Sequence, residues 1–314
     1  MAAEGWCNMA DLLQPLKVGA ILAPNRIFMA PMTRARGTRD HVPTPMMVEY
    51  YRQRASAGLI VSEAIGISQQ GLGWPYATGI WSPQQVEGWR QIVEAVHQAG
   101  GRIVAQLWHM GRAVHPSLLG GELPVSASAT RAPGAAHTYE GKQPYESARE
   151  LRIDEIASIT DDYVRAAQNA MRAGFDGVQL HAANGYLIDQ FLSDNSNFRS
   201  DDYGGSLENR LRLLLEVTRA LAAEVGLERT GVRLSPNGEV QGVRDSQLVS
   251  TFRAAVTALS RLGIAFLELR EPPTTGTFGK GDLEPLAAQL RPLFSGTLIL
   301  NSDFDVARAQ RELA

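Results

Sequence analysis

The chain has 314 residues, of which 30 are Lys or Arg and 33 are Asp or Glu, so its formal net charge at neutral pH is −3. This balance argues against a nucleic-acid-binding protein, because no excess of positive charge is available to replace the counterions of phosphates. Hydrophobic residues make up 44% of the sequence, which is typical of a globular protein. No apolar run reaches the roughly 18 residues that a membrane helix needs. With the single Cys7, which cannot form an internal disulfide, we expect a cytoplasmic protein without a membrane partner.

Short apolar segments alternate with longer amphipathic segments along the chain. The short segments have the length and the apolar content of strands that are buried on both faces. They lie at residues 27–30, 59–62, 103–108, 177–180, 231–234, 265–269 and 297–300. The longer segments predict helices at residues 45–57, 84–99, 154–173, 206–225, 245–262, 281–293 and 303–313. Thr44 before Pro45 is a helix-start signal, and Gly100, Gly174 and Gly226 stand where a helix would end.

This alternation predicts parallel βα units within one domain. We expect an α/β fold of the TIM (β/α)8-barrel type, because the sequence has no dinucleotide-binding fingerprint and the units recur steadily. An open doubly wound sheet is the alternative. The barrel would occupy residues 16–314, after a flexible arm at residues 1–15. Residues 115–149, after the third predicted strand, are rich in Pro, Gly, Ser and Ala, which is typical of a lid or binding loop.

Several familiar catalytic and nucleotide-binding patterns are missing from the sequence. Gly279-Lys280 lacks the flanking residues of a phosphate-binding loop, and no G-x-S-x-G nucleophile turn is present. The six His residues, including His109 and His115, form no metal-binding pattern. We therefore predict no metal site.

The polar residues that follow the predicted strands indicate a different kind of site. In a parallel barrel the active site is built at the carboxyl ends of the strands. Gln106, His181, Asn184, Tyr186 and Arg233 lie at or just after such ends. They include no carboxylate pair and no activated nucleophile. The set offers hydrogen-bond donors for a planar heterocycle and for a substrate oxygen, with Tyr186 as a proton donor.

Five motifs resemble, in the same order, those of the Old Yellow Enzyme family of flavin-dependent ene-reductases, and closely those of bacterial 2-cyclohexenone reductases. They are residues 25–34 (NRIFMAPMTR), 105–112 (AQLWHMGR), 181–187 (HAANGYL), 202–210 (DYGGSLENR) and 232–236 (VRLSP). The resemblance implies a barrel that binds FMN non-covalently, takes hydride from NADPH, with NADH also possible, and passes it to an activated alkene. The cofactor would then perform the redox chemistry, which agrees with the absence of a nucleophile among the polar residues at the strand ends.

The resemblance also implies roles for individual residues. His181 and Asn184 would hold the carbonyl oxygen of an enone, Tyr186 would protonate its α-carbon, and Trp108 would shape the substrate pocket. The residues implied to contact FMN are Pro31, Met32, Thr33, Ala64, Gln106, Arg233 and Asn301. Thr33 would hydrogen-bond to the flavin O4, Gln106 would bind the pyrimidine edge, and Arg233 would lie beside N1 and O2.

The chain departs from the family pattern at its C-terminal end. Family members continue with an eighth strand that ends in a Gly-Arg pair, whose Arg holds the FMN phosphate, and then with a helix and tail. We therefore expect a barrel without its eighth strand and tail, whose two strand edges would favour self-association. A truncated form, a segment from another chain or mutual completion by protomers would each account for this pattern. Weak FMN binding by the isolated chain would follow.

Three functions are compatible with these patterns. A working ene-reductase is favoured, since a barrel without this activity would have no need to keep all of Thr33, Gln106, His181, Asn184, Tyr186 and Arg233. The alternative is a truncated or FMN-poor barrel fragment with little activity unless another segment or protomer completes it. A lyase or aldolase ranks behind both, because no Schiff-base Lys follows a predicted strand. Arg34, Arg112, Arg199 and Arg210 lie in or near the motifs and either touch the cofactor or form ion pairs.

Overall fold

A computed structural model of the chain describes residues 9–276, 281 and 283–313. Its helices are α1 (Met9–Leu12), α2 (Pro45–Arg52), α3 (Pro83–Gln98), α4 (Ile153–Arg172), α5 (Leu187–Leu192), α6 (Leu207–Val225), α7 (Leu248–Leu262), α8 (Ala287–Leu290) and α9 (Val306–Leu313). Its strands are β1 (Leu16–Val18), β2 (Ile21–Ala23), β3 (Ile60–Gly66), β4 (Ile103–Trp108), β5 (Val125–Ser126), β6 (Ala135–Thr138), β7 (Gly141–Pro144), β8 (Arg149–Glu150), β9 (Gly177–His181), β10 (Thr230–Leu234), β11 (Phe266–Arg270) and β12 (Thr297–Asn301). Short 3-10 turns occur at Pro116–Leu118, Leu227–Arg229 and Arg291–Leu293.

The main sheet is parallel, with strand order β12-β11-β10-β9-β4-β3. Each of these six strands is hydrogen-bonded to the one that precedes it in the chain order β3, β4, β9, β10, β11, β12. Every residue of β3, β4, β9 and β10 is buried, as expected for strands covered on both faces. Every residue of β12 is only half-buried. The helices between the strands cover the outer face with apolar side chains such as Trp89 of α3 and Tyr163 of α4. This is the arrangement of a βα-barrel wall.

The prediction of a strand at residues 27–30 is wrong. Only Met29 pairs with the sheet: its N–H donates to Leu59 O at 2.9 Å, its carbonyl accepts from Val61 N at 3.1 Å, and it forms an isolated parallel bridge to Ile60. Pro31 lacks an N–H and stops the ladder two residues later. On the other side of this segment lies a gap to β12. The seam cavity, as we call this gap, has a volume of about 930 Å³ and is lined by residues 26–30 on one side and residues 295–301 on the other.

Most helix ends follow from local signals, as α3 illustrates. The Ser82 hydroxyl accepts from Gln85 N at 3.3 Å and the Gln85 side chain accepts from Ser82 N at 3.1 Å, which is a capping box, and Pro83 opens the first turn. The observed bounds of α3, α4, α6 and α7 agree with the predicted ones within three residues, and the ends of α6 and α7 agree with them fully. The helix predicted at residues 45–57 ends at Arg52 instead.

The helix predicted at residues 281–293 is much shorter than expected. It begins at Ala287, because the buried carboxylate of Glu271 accepts from the backbone N–H groups of Leu286 at 2.6 Å and Ala287 at 3.1 Å and so caps its start. Pro292 then converts its end into a 3-10 turn. Residues 277–280 and 282, of which only residue 282 falls in the predicted helix, lie outside the described residues.

The excursion at residues 115–149 has structure of its own. It contains a 3-10 turn, a short parallel pair of β5 with β8, and a hairpin of β6 and β7. The hairpin lies against the loop after β3, where His137 is 5.0 Å from Trp74 and Tyr139 is 5.1 Å from Tyr76 between ring centroids. Its role as a lid or binding loop stays a prediction.

The predicted N-terminal arm is only partly within the described residues. Residues 1–8 lie outside them, and the described part of the arm includes α1, which contacts α9. Within the described ranges, no helix is both long and apolar enough to cross a membrane.

Candidate active site

The carboxyl ends of the strands bring most of the predicted site residues to one end of the sheet. Gln106 lies opposite Ala64 of β3 on one side and Gln179 of β9 on the other. His181 lies opposite Arg233, which in turn lies opposite Glu268 of β11. Side chains from strands that are far apart in sequence therefore share one barrel mouth, as the parallel topology requires.

Three aromatic side chains form the wall of this mouth. The rings of Trp108 and His181 are stacked with centroids 6.2 Å apart, and the Tyr186 ring stands edge-on to both, at 4.8 Å from Trp108 and 5.1 Å from His181. Offset-stacked and edge-to-face contacts of this kind hold ring positions. Trp108 is almost fully buried, and its indole N–H has no partner among the described residues.

His181 is a neutral hydrogen-bond donor. Burial lowers the pKa of His181 well below its usual value, and the charge of Arg233 lowers it further. Its Nδ1 accepts a long hydrogen bond of 3.4 Å from Ala183 N, so the ring proton lies on Nε2. A neutral Nε2–H can donate to a substrate oxygen without a change of charge.

Asn184 is held in an unusual backbone conformation by its neighbours. Its φ is 61°, in the left-handed region that Asn tolerates better than most residues. Its N–H donates to Ser235 Oγ at 2.8 Å, and its carbonyl accepts from Gln241 Nε2 at 3.1 Å. These two bonds leave the side chain free, and its Oδ1 has no hydrogen-bond partner in the described part of the chain. The amide is therefore available for a ligand.

Tyr186 remains protonated over the ordinary pH range. Burial raises the pKa of Tyr186 to about 12, although the nearby Gln241 side chain acts in the opposite direction. Tyr186 is also the residue before α5, and Gln190 N donates to its carbonyl at 2.8 Å. The phenol is thus fixed by a helix start as well as by its aromatic contacts, and it can act as an acid but not as a base.

The other predicted residues surround the same mouth. Gln106 is buried, and its Nε2 donates to Gln179 Oε1 at 2.7 Å. Arg233 Nε is buried 3.2 Å from Glu268 Oε1, but without the alignment of a hydrogen bond. Pro31 and Thr33 are half-buried, and Met32 is exposed and accepts from Arg34 Nη1 through its sulfur at 3.1 Å. The side chain of Asn301 is engaged with Glu268 and Ser302 rather than free.

These residues fit a flavin. A planar ring system with nitrogen and oxygen atoms along one edge needs buried donors and acceptors that are not already paired. The indole N–H of Trp108 and Arg233 Nε are buried donors without a hydrogen-bond partner among the described residues, and Asn184 Oδ1 is a buried acceptor without one at the same mouth.

Comparison with known proteins identifies the family. Residues 11–279, well over half of the chain, match the model of the NADH:flavin oxidoreductase / NADH oxidase family. The chain belongs to this family.

Solved structures and curated relatives agree with this match. An old yellow enzyme homologue from Zymomonas mobilis is 58% identical, with a TM-score of 0.95 over 96% of this chain and 85% of that one. Morphinone reductase in complex with tetrahydroNAD is 44% identical, with a TM-score of 0.89 over 96% of this chain and 83% of that one. The flavin oxidoreductase hxnT of Emericella nidulans is 46% identical over 76% of this chain and 62% of its own length.

The expected membership of the Old Yellow Enzyme family and the expected TIM-type barrel are confirmed by these matches. The expected FMN-dependent ene-reductase is supported at the level of the family, and the alternative of a barrel fragment with little activity is not favoured. The chain is thus an FMN-dependent oxidoreductase of the Old Yellow Enzyme type.

The sequence analysis of this flavin oxidoreductase did not predict every residue that lies around the mouth. Asp189 is buried and accepts from Gly185 N at 2.8 Å, and Ser235 Oγ lies 3.5 Å from its carboxylate. Burial raises the pKa of Asp189 to about 7. Gln241 contacts both Asn184 and Tyr186. The Ser235 position lies in a recognised motif, but no periodicity or spacing signal marks Asp189 or Gln241.

Three of the four arginines near the motifs make different contacts in the flavin oxidoreductase. Arg199 pairs with Asp201, and Arg210 pairs with Asp245. Both arginines are buried: Arg210 also donates to Leu192 O at 2.9 Å, and Arg199 donates to the carbonyls of Ala127 at 3.0 Å and Leu151 at 2.6 Å, which is the structural role that the ion-pair alternative predicts. Arg112 donates to Thr130 Oγ1 at 2.9 Å and to Gln241 O at 3.2 Å, so it joins the excursion at residues 115–149 to the mouth.

The Arg210–Asp245 pair predicts a large effect on stability. Arg210 Nη2 lies 3.1 Å from Asp245 Oδ2, and the two side chains are 9% and 1% exposed. Asp245→Asn leaves a buried guanidinium without its counter-charge, so we expect the free energy of unfolding to fall by about 3–5 kcal/mol. Chemical denaturation measures this change. Asp154→Asn, in an exposed pair with Arg152, is the control and should leave stability almost unchanged; equal effects of the two variants would contradict the prediction.

His109 is a structural residue in this fold. It is fully buried, its Nδ1 accepts from Gly111 N at 3.1 Å, and burial lowers the pKa of His109 to about 3. Among residues 9–276, 281 and 283–313, no group of three or more His, Cys, Asp or Glu side chains is placed to hold a metal ion.

Proposed function

We propose that this flavin oxidoreductase reduces the activated C=C bonds of enones and similar electron-poor alkenes, with a nicotinamide as hydride donor. One observation supports this most directly. A neutral histidine Nε2–H, an asparagine amide and a protonated tyrosine occupy a single barrel mouth, at His181, Asn184 and Tyr186. This set polarises a carbonyl and supplies a proton, and it has no means of attacking a carbonyl covalently.

In the proposed reaction, His181 and Asn184 donate to the carbonyl oxygen of the substrate. Negative charge grows on that oxygen as the β-carbon gains a hydride, and two fixed donors in a buried mouth stabilise it without reorganisation. The neutral state of His181 matters, because Arg233 already supplies one positive charge nearby and a second would be costly there. Bound FMN would supply the hydride chemistry between the nicotinamide and the alkene, while His181 and Asn184 would hold and polarise the substrate.

Tyr186 is proposed to give its proton to the α-carbon. Its raised pKa keeps the phenol protonated, and the edge-on contacts with Trp108 and His181 hold it beside the mouth. Trp108 would limit the size of the substrate from the same side, because its ring forms part of the wall.

The residues proposed to hold FMN are those of the sequence prediction. Pro31, Met32, Thr33 and Ala64 would line one face and edge of the ring, and Gln106 and Arg233 would bind its polar edge. Asn301 would lie towards the phosphate. NADPH is the proposed donor, with NADH possible. A cytoplasmic location and self-association through the open edges of the sheet are part of the same proposal, supported by the charge balance, the single Cys7 and the seam cavity.

The visible absorption spectrum of the purified protein tests this function. We expect a flavin spectrum that bleaches under anaerobic NADPH and returns when 2-cyclohexenone is added. Replacement of the enone by cyclohexanone, which has no C=C bond, should leave the spectrum bleached. A flavin that bleaches but does not return with the enone would contradict the proposed substrate class, and a protein that takes up no FMN would contradict the proposed cofactor role.

A further inference from the structure

A chain of buried polar side chains crosses the interior of the barrel below the mouth. Gln106 Nε2 donates to Gln179 Oε1 at 2.7 Å, and Gln179 Nε2 donates to Glu268 Oε2 at 2.7 Å. On the other oxygen of Glu268, Asn301 Nδ2 donates at 2.8 Å and Arg233 Nε lies at 3.2 Å. We call Gln106, Gln179 and Glu268 the interior relay. It joins strands β4, β9 and β11.

Glu268 stands at the end of this relay and is deeply buried. It is 1% exposed, and Gln106 and Gln179 are 1% and 0% exposed. Burial of an ionised carboxylate costs free energy unless it is paired and hydrogen-bonded. Here its oxygens meet two amide groups and one guanidinium, which satisfies that requirement. Without a functional requirement, an apolar residue at this position of the strand would make the folded protein at least as stable.

The carboxylate sets the direction of both amides in the interior relay. An ionised carboxylate only accepts hydrogen bonds, so the side chain of Gln179 must present its NH2 group to Glu268. Its oxygen then faces Gln106, whose NH2 group turns towards Gln179. The carbonyl oxygen of Gln106 is consequently left as an acceptor for a ligand. One charge therefore decides which group Gln106 offers, two side chains away.

The same carboxylate also offsets the charge of Arg233. The two side chains are 7% and 2% exposed, and charges in such a poorly solvated place interact more strongly than in water. Any ligand beside Arg233 therefore experiences a positive charge that Glu268 has partly cancelled.

We propose that Glu268 is a positioning residue for the cofactor, which orients the amide of Gln106 through Gln179 and moderates the positive charge of Arg233 at the flavin. This inference rests on the proposed function, in that Gln106 and Arg233 bind the polar edge of FMN. Glu268 itself does not touch the reacting atoms, and it sets the redox balance of the site through its neighbours.

The test is Glu268→Gln, which keeps the size of the side chain and removes its charge. The charge of Arg233 is then unopposed and favours the reduced, more negative form of FMN. We expect the ratio of affinities for reduced over oxidised FMN to rise about tenfold, equivalent to an increase in midpoint potential of about 30 mV for a two-electron couple. Anaerobic equilibration with dyes of known potential measures it. A ratio that changes by less than about twofold, or that falls, would overturn the role of Glu268.

A matched control removes a carboxylate of similar burial outside the relay. Glu63 is also 1% exposed, but its Oε2 accepts from Tyr51 of α2 at 3.4 Å, on the outer side of the sheet. Both variants are compared at pH 9, where the Glu63 carboxyl, whose pKa burial raises to about 7, is ionised. Glu63→Gln should then change the ratio of affinities for reduced over oxidised FMN by less than about twofold. An equal rise in both variants would show a general effect of net charge and would overturn the proposal.

A second variant tests the relay without changing any charge. Gln179→Met cuts the contact between Glu268 and Gln106, so the amide of Gln106 loses its fixed direction. We expect oxidised FMN to bind about tenfold more weakly, the upper end of the effect of one lost hydrogen bond, in a fluorescence titration of apoprotein. Unchanged affinity would overturn the relay, and this variant decides the case if Glu268→Gln does not fold. Wild-type protein that binds no FMN would instead overturn the proposed function on which the inference rests.

Discussion

His181→Ala is expected to slow the reduction of 2-cyclohexenone by about 100- to 1,000-fold, the loss seen when one preorganised donor to a developing oxyanion is removed. The reason is the position of the ring proton. Because Nδ1 of His181 accepts from Ala183 N, Nε2–H is the donor left for the substrate oxygen, and alanine replaces it with a space that water fills. Asn184→Ala should have an effect in the same direction, because its amide is the second donor.

Stopped-flow measurement of the step with the enone isolates this effect from the earlier step with the nicotinamide. The enzyme is reduced first without oxygen, and the return of the flavin absorption after mixing with the enone is recorded. His97→Asn is the control, since His97 contacts Asp176 at the opposite end of the sheet and should not change the rate. A His181→Ala enzyme whose flavin returns at the wild-type rate would show that the carbonyl is held elsewhere.

Tyr186→Phe is expected to reduce product formation by about 100-fold or more, within the range of a lost general acid. Phenylalanine keeps the ring contacts with Trp108 and His181, so the change removes the proton and little else. Analysis of product by chromatography after a single turnover measures the loss. Tyr163→Phe is the matched control, because that hydroxyl is also buried but belongs to α4 on the outside of the sheet. Product formation at the wild-type rate in Tyr186→Phe would exclude this hydroxyl as the proton source.

The contribution of Tyr186 to the pH dependence of the wild-type enzyme follows from its raised pKa. A pKa of about 12 keeps Tyr186 in its acid form, and since the shift is upwards, ionisation moves further from neutrality. Tyr186 therefore produces no basic limb between pH 6 and 9, and the lowered pKa of His181 produces no acidic limb there either. A rate that fell with a midpoint near pH 8 would assign the proton to another group.

Much of the fold could be predicted from sequence because its signals are local. Gly after the last apolar position placed the ends of α4 and α6 within one residue, and buried apolar runs placed the strands of the main sheet. The failures have long-range causes. α8 begins where Glu271, at least 15 residues earlier in the chain, caps it, and the segment at residues 27–30 has a hydrogen-bonded partner on one side only.

The site residues also divide into those with local sequence signals and those defined by long-range contacts. Motifs marked His181, Asn184 and Tyr186, because residues that act together here lie within six positions of the chain. Glu268 gave no such signal. It stands in an apolar strand, and its partner Gln179 is 89 positions away, so its significance depends on a contact that only the folded sheet creates. Asp189 is similar, since Ser235 is 46 positions away.

The pairing order of the main sheet has a consequence for how the chain folds. Each of its strands is hydrogen-bonded to the next one of the set along the chain, and β12 forms no ladder with residues 26–30 across the seam cavity. Long loops cost entropy before their contacts form, which slows folding. A sheet that grows by adding one neighbour at a time avoids closing its longest loop. Opening should then begin at the half-buried β12 and reach the fully buried strands β4, β9 and β10 last, as a gradient of local unfolding across the sheet.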